Sequence, residues 1–254
     1  MNNLKNKIAL ITGATSGIGK SCAKQLASLK VNLILTGRRK ERLDKLKKKL
    51  EKKYSIKVST FTFDIRSNKQ VKKALNKILK NHKIDILINN AGLALGIEKI
   101  DEGVLQNWED MIDTNLKGLL YVSRIIIPHM RKNNSGHIIN LGSIAGQMNY
   151  PGGNVYCATK HAVHSLSESM NIDLYGTNIR ISNIAPGAVN TEFSNVRFKG
   201  DDTKAAKVYE GYTSLEAKDI SSLAIYILNA PKHVNIQHSL IMPTAQRNPY
   251  LLAK

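Results

Sequence analysis

The sequence predicts an α/β fold: a doubly wound, seven-stranded parallel sheet with helices on both faces. Three observations carry this. Short β-rich runs recur seven times along the 254-residue chain. Amphipathic stretches of helical period separate them, and alternation at this spacing implies right-handed βαβ crossovers. The β-rich runs also lack polar alternation, as strands do when helices cover both sheet faces.

In chain order, a run at 7–12 leads directly into Thr12-Gly13-Ala14-Thr15-Ser16-Gly17-Ile18-Gly19 and a helical pattern near 17–30. A run at 31–36 precedes a helix near 40–53, whose Leu43, Leu46 and Leu50 form an apolar stripe under a lysine-rich face. Runs at 58–63, 84–89 and 137–141 are followed by helices near 67–81, 107–132 and 154–175. After the run at 179–184 comes one long interruption, about 187–216, which carries Gly187, Gly200 and Gly211 and is read as a substrate lid. A helix near 217–229 and a last run at 236–241 complete the pattern. No repeat, low-complexity linker or composition break divides the chain, so residues 1–254 are expected to form a single domain.

Composition narrows the class. The apolar fraction of 42% and charged fraction of 22% fit a globular protein and exclude a disordered or collagen-like chain. No apolar run approaches the roughly 18 residues of a membrane span. The first residues run into only a short apolar stretch, which does not read as a secretory signal. Two cysteines, Cys22 and Cys157, make no disulfide framework, and a reducing, cytoplasmic location is expected.

The net charge of +19 is concentrated: residues 1–83 hold 23 of the 38 Lys+Arg and only 4 of the 19 Asp+Glu. Nucleic-acid or membrane-surface binding is one reading of such an excess. Solvated helix faces filled with lysine are the other. The basic residues have little aromatic interleaving and no nucleic-acid reading motif accompanies them, so neither nucleic acid nor membrane is expected as a partner.

The glycine turn lies between a strand and a helix. Glycines there let a ligand's phosphates approach bare backbone, and the helix N-terminus offers unpaired N–H groups and a positive dipole end. Many dinucleotide sites place an acid about 20 residues on, to bind the ribose hydroxyls. This chain has Leu35-Thr36-Gly37-Arg38-Arg39 instead. Arginine grips a 2′-phosphate that an acid would repel, so the expected cofactor is NADP.

Tyr156 and Lys160 lie four residues apart, on one helical face. An ammonium near a phenol favours the phenolate, and such a pair passes a proton to or from a carbonyl or alcohol. Ser143 follows the strand ending at Leu141, at the carboxyl edge of the sheet where such folds bind ligands. Its hydroxyl is placed to hold the same substrate oxygen.

Thr12-Gly13 with Gly17-Ile18-Gly19, Asn89-Asn90-Ala91-Gly92, Asn115, Ser143, Tyr156 with Lys160, and Pro186-Gly187 occur here in an order and spacing that resembles the short-chain dehydrogenase/reductase superfamily, over about residues 7–244. Segments 90–96, 108–115, 150–156 and 196–201 resemble its NADP-dependent 3-hydroxy acid (serine 3-) dehydrogenase branch. The resemblance implies a Rossmann fold and a homotetramer pairing through the helices near 107–132 and 154–175. It implies oxidation of serine, allo-threonine or 3-hydroxypropionate, or reduction of malonic semialdehyde-type compounds. The rival is a carbonyl reductase for a bulkier ketone or 3-oxoacyl substrate.

The resemblance also implies roles for particular residues. Gly13, Thr15, Ser16, Gly17, Ile18 and Gly19 form the phosphate turn, with Arg38 and Arg39 at the 2′-phosphate. Asp64 and Ile65 border the adenine, and Asn90, Ala91 and Gly92 hold the cofactor. The segment 186–194 cradles the nicotinamide and pyrophosphate, with Pro186, Gly187, Val189 and Thr191 as its contacts. Tyr156 is the acid–base, Lys160 lowers its pKa and binds the nicotinamide ribose, Ser143 orients the substrate oxygen, and Asn115 anchors a water in a proton relay. Many relatives carry an acid or a base at Ser16, so here the 2′-phosphate is expected to rest on Arg38 and Arg39 alone. Many also close the last strand with a Val-Asp-Gly-Gly run, where this chain has Ile241-Met242-Pro243-Thr244.

Arg197, in the expected lid, is a candidate for a substrate carboxylate, with a purely structural role the alternative. His161, His164 and Glu168 share a helix with Tyr156 at metal-ligand-like spacing, but a hydride-transfer site of this kind uses none, so no metal is expected. Cys157 and Trp108 are read as packing residues.

Overall fold

Seven parallel strands form the central sheet of the computed structural model, which describes residues 3–253. The strands are β1 (Ile8–Ile11), β2 (Asn32–Gly37), β3 (Val58–Thr62), β4 (Ile86–Asn89), β5 (Gly136–Leu141), β6 (Ile179–Pro186) and, after two short strands β7 (Val189–Asn190) and β8 (Leu215–Glu216), β9 (His238–Ile241). Their order across the sheet is β3-β2-β1-β4-β5-β6-β9. This is the doubly wound Rossmann-like arrangement the sequence predicts. Chain direction across the sheet reverses between β1 and β4, and at such a switch point the loops part to leave a crevice at the carboxyl ends.

Alternate strand residues serve two cores. Ala9 and Ile11 of β1 and Leu33 and Leu35 of β2 face one layer, packed by α1 (Gly17–Ser28), α2 (Lys40–Tyr54) and a late helix, α9 (Ala217–Asn229). Leu10 and Ile34 face the other, packed by α3 (Asn68–Asn81), α5 (Gly118–Lys132) and α6 (Asn154–Asp173). Each fully buried Leu or Ile contributes about 1.5–3 kcal/mol, so continuous apolar strands are what this two-faced burial requires. The Leu43, Leu46 and Leu50 stripe of α2 is buried as expected. Because α2 and α3 lie in different layers, the lysines of the first third are split between the two faces of the sheet.

The helix expected at 107–132 is interrupted. It consists of α4 (Leu105–Ile112), a π-helical turn over Asp113–Lys117, and α5. A π turn inserts one extra residue and re-aims the side chains around it. Here it directs the Asn115 amide onto the backbone of Leu93, accepting from its N–H at 2.8 Å and donating to its carbonyl at 2.8 Å. After Ser143, a 3-10 turn (Ile144–Gly146) rests on α6, where a side chain at Gly146 would meet the Lys160 carbonyl.

The segment 187–216 is ordered as short elements. β7 and β8 pair in parallel, and between them lie α7 (Phe193–Arg197) and α8 (Asp202–Lys207). Capping fixes the start of α9 behind it: the Glu216 side chain accepts from the backbone of Asp219, and the Asp219 side chain accepts from that of Glu216.

Candidate active site

The carboxyl ends of β1, β2, β4, β5 and β6 open into one cavity of about 670 Å³. Of the candidate residues named from the sequence, all but Gly19 and Asn115 line it. The sheet thus gathers residues more than 180 positions apart, from Gly13 to Arg197.

The glycine turn is built by close approach. Gly13 has φ +65°, and a Cβ there would come within 2.9 Å of the Ala91 Cα. Thr12 stitches the turn to β4: its Oγ1 accepts from the N–H groups of Asn90 and Ala91 at 3.0 Å each. The Asn90 amide donates back to the carbonyls of Thr12 and Gly13 at 2.9 and 3.1 Å. Gly19 corrects its expected role. A Cβ there would lie 2.4 Å from Asn90 Nδ2 and 2.7 Å from the Gly13 carbonyl, so it lets the helix pack and does not face the cavity.

At the start of α1, Ser16 makes no side-chain cap and the first turn holds no acid. The unpaired N–H groups there suit an anion. Arg38 and Arg39 follow at the end of β2. Arg39 lies across the turn, donating to Thr15 Oγ1 and, at 2.8 Å, to Ser16 Oγ. Asp64 is committed to Arg66, whose Nε and Nη2 reach its carboxylate at 2.7–3.1 Å; although partial burial raises its pKa, Arg66 holds it low overall. This end of the cavity fits a dinucleotide bearing a further phosphate.

At the other end lie Ser143, Tyr156 and Lys160. Tyr156 is buried and packs on Phe193, ring centroids 5.7 Å apart. Burial raises its pKa well above the ordinary phenol value; the Tyr150 phenol adds to this, and a hydrogen bond with Ser143 and the Arg197 charge oppose it. Lys160 donates to the Leu141 carbonyl at 2.7 Å, and burial lowers its pKa to about 8. Desolvation thus dominates the phenol, against the lowering expected from Lys160. Asn115 bonds to Leu93 and donates to Thr159 Oγ1 at 3.1 Å, so its side chain is buried behind the cavity wall.

Arg197 closes the cavity beside Tyr156. Its Nε donates to the Gly96 carbonyl and its Nη1 to Tyr150 Oη, both at 3.0 Å. Its guanidinium carbon stands 5.4 Å from the Tyr150 ring centre and 5.9 Å from that of Tyr156. Its Nη2 is buried with no hydrogen-bond partner among the described residues.

Sequence reasoning missed Tyr150 as the partner of Arg197, and the residues beyond the last strand, where Gln246 and Pro249 line the cavity. Gln246 accepts from the Ala188 N–H at 2.9 Å. No spacing signal links such distant residues. Cys157 and Trp108 pack in an apolar cluster beside Tyr156. His164 bonds to Asn183 and pairs with Glu168 at 3.5 Å, and among the described residues no group of three His, Cys, Asp or Glu could hold a metal ion.

This glycine turn at a switch point, with Ser143 and a buried Tyr–Lys pair beyond it, defines a nucleotide-dependent oxidoreductase. A family model for short chain dehydrogenase matches residues 7–202, and the chain belongs to that family. It is 45% identical over 245 residues to a probable NADP-dependent dehydrogenase of Haemophilus influenzae, covering 96% of each chain. It is 44% identical over 241 residues to the NADP-dependent 3-hydroxy acid dehydrogenase YdfG of Escherichia coli K12, covering 94% of this chain and 96% of that one. Its fold matches a closed form of serine dehydrogenase complexed with NADP+, with a TM-score of 0.89, 42% identity, and 97% of this chain and 99% of that chain covered. The protein is an NADP-dependent dehydrogenase acting on a small-molecule CH–OH donor. No helix among the described residues is long and apolar enough to cross a membrane.

Proposed function

We propose that this enzyme interconverts the 3-hydroxyl and 3-oxo forms of a small 3-hydroxy acid of the serine, allo-threonine or 3-hydroxypropionate type. The observation that carries this is the buried, unpaired Nη2 of Arg197 beside Tyr156. Arg197 lines the cavity, and an unmatched buried guanidinium N–H costs free energy unless a ligand meets it, which a carboxylate does best. Arg197 and Tyr150 then take the acid end while Ser143 and Tyr156 take the oxygen.

NADP, when bound, supplies the hydride donor or acceptor. The chain's own residues do the rest. Tyr156 gives a proton to the carbonyl oxygen, or takes it from the alcohol, and Ser143 holds that oxygen. Lys160 binds the nicotinamide ribose and offers the phenol a positive charge. Asn115 holds the wall behind them through Leu93 and Thr159. Gly13 through Ile18, Arg38, Arg39, Asp64, Ile65, Asn90–Gly92, Pro186, Gly187, Val189 and Thr191 hold the cofactor. The segment 187–216 acts as a lid, since Phe193 and Arg197 bring it against Tyr156. Exposed Leu105, Leu120, Ile172 and Tyr175 along α4, α5 and the end of α6 support a homotetramer. Two free, buried cysteines agree with a reducing cytoplasm.

The test is a substrate panel followed by NADPH absorbance. It sets L-serine and 3-hydroxypropionate against uncharged propan-1-ol and a bulky 3-oxoacyl thioester. Turnover of the acids, lost in Arg197→Ala, supports the reading. Preference for the thioester or the neutral alcohol overturns it.

A further inference from the structure

The carboxylate of Glu192 sits between two guanidiniums. Arg42 Nη1 donates to both its oxygens at 2.8 Å, and Arg39 Nη1 donates to Oε2 at 3.0 Å. The other donors of Arg39 reach Thr15 and Ser16 on the glycine turn. Partial burial by itself raises the Glu192 carboxyl, but Arg42 and Arg39 hold it below the usual range. Among the described residues, the side-chain hydrogen bonds of Arg42 all go to Glu192, and Arg42 does not line the cavity. Glu192 therefore places a negative charge on an arginine that stands at the cofactor's end.

We propose that Glu192 is a specificity-determining residue whose carboxylate competes with the 2′-phosphate of NADP for Arg39, while Arg42 draws that carboxylate away. The inference rests on the reading of Arg39 as a 2′-phosphate ligand. Two anions on one guanidinium repel each other, and the phosphate brings about two charges. NAD carries no phosphate there and feels neither effect. Glu192 thus holds NADP affinity below what the arginines alone give, and Arg42 acts on the cofactor only through Glu192.

Calorimetric titration of NADPH and NADH into the purified protein tests this without turnover. Glu192→Gln tightens NADPH binding about fivefold, the size of one partly exposed ion pair, and moves NADH by less than about twofold. Arg42→Ala weakens NADPH binding about threefold in the parent chain and leaves it unchanged once Glu192 is Gln. Weaker or unchanged NADPH binding in Glu192→Gln overturns the proposal. So does an equal effect of Arg42→Ala in both backgrounds, which marks a general loss of positive field. Arg39→Ala separates the two levels. If it leaves the NADPH-to-NADH ratio unchanged, the phosphate reading fails and this inference with it. If it collapses the ratio while Glu192→Gln leaves it fixed, only the role of Glu192 fails.

Discussion

Lys160 Nζ stands 5.9 Å from the centre of the Tyr156 ring and spends its hydrogen bond on the Leu141 carbonyl. Among the described residues no carboxylate pairs with it, and burial lowers its pKa from 10.5 to about 8. Below pH 8 the amine is charged in both folded and unfolded chains. Between pH 8 and 10.5 the unfolded chain binds more protons, so stability rises with pH across that window. The charged amine therefore costs the fold on the order of 3 kcal/mol at neutral pH. Replacing Lys160 by Met should abolish activity yet raise stability to urea at pH 7, with the gain shrinking toward pH 10. A gain independent of pH would contradict this assignment.

Tyr156→Phe keeps the ring against Phe193 and removes only the hydroxyl that carries the proton. Turnover should fall by about 10²–10⁴-fold, while NADPH binding measured by titration stays close to the parent value. Near-normal turnover would end the acid–base role.

Gly19→Ala should lose cofactor affinity through packing. The new Cβ meets Asn90 Nδ2 and the fixed Gly13 carbonyl, both closer than van der Waals contact. The strain should cost about 1–3 kcal/mol in thermal or chemical unfolding and loosen the glycine turn, so NADPH and NADH weaken together. A variant with parent stability and affinity would show that the turn relaxes freely.

Ile172 and Tyr175 are 74% and 92% exposed on the end of α6 and the turn beyond it. Exposed apolar groups of that size call for a partner surface. Light scattering should report a tetramer for the parent chain and a smaller species for the double substitution to Glu. A parent chain that runs as a monomer would remove the tetramer.

Much of this was legible locally. The seven strands, the glycine turn and the Tyr156–Lys160 pair depend on period and on residues near one another in the chain. The basic pair Arg38-Arg39 likewise pointed to NADP before any fold was known. Local spacing did less well where backbone geometry intervened. It gave one helix at 107–132, because apolar periodicity is nearly blind to the single inserted residue of the π turn that aims Asn115 at Leu93. It placed Gly19 with the phosphate ligands, because a glycine needed for packing against Asn90 looks the same in sequence as one needed for a ligand.

The sequence by itself determined the fold class, the family and the candidate reacting side chains, since those follow from repeating pattern and motif. Only the tertiary structure decided the electrostatics. Burial, which no motif encodes, raises the pKa of Tyr156 and lowers that of Lys160. Chain crossings between distant segments bring Glu192 to Arg39 and Arg197 to Tyr150, pairs 153 and 47 residues apart. Charge and desolvation act through space, and the fold alone sets those distances.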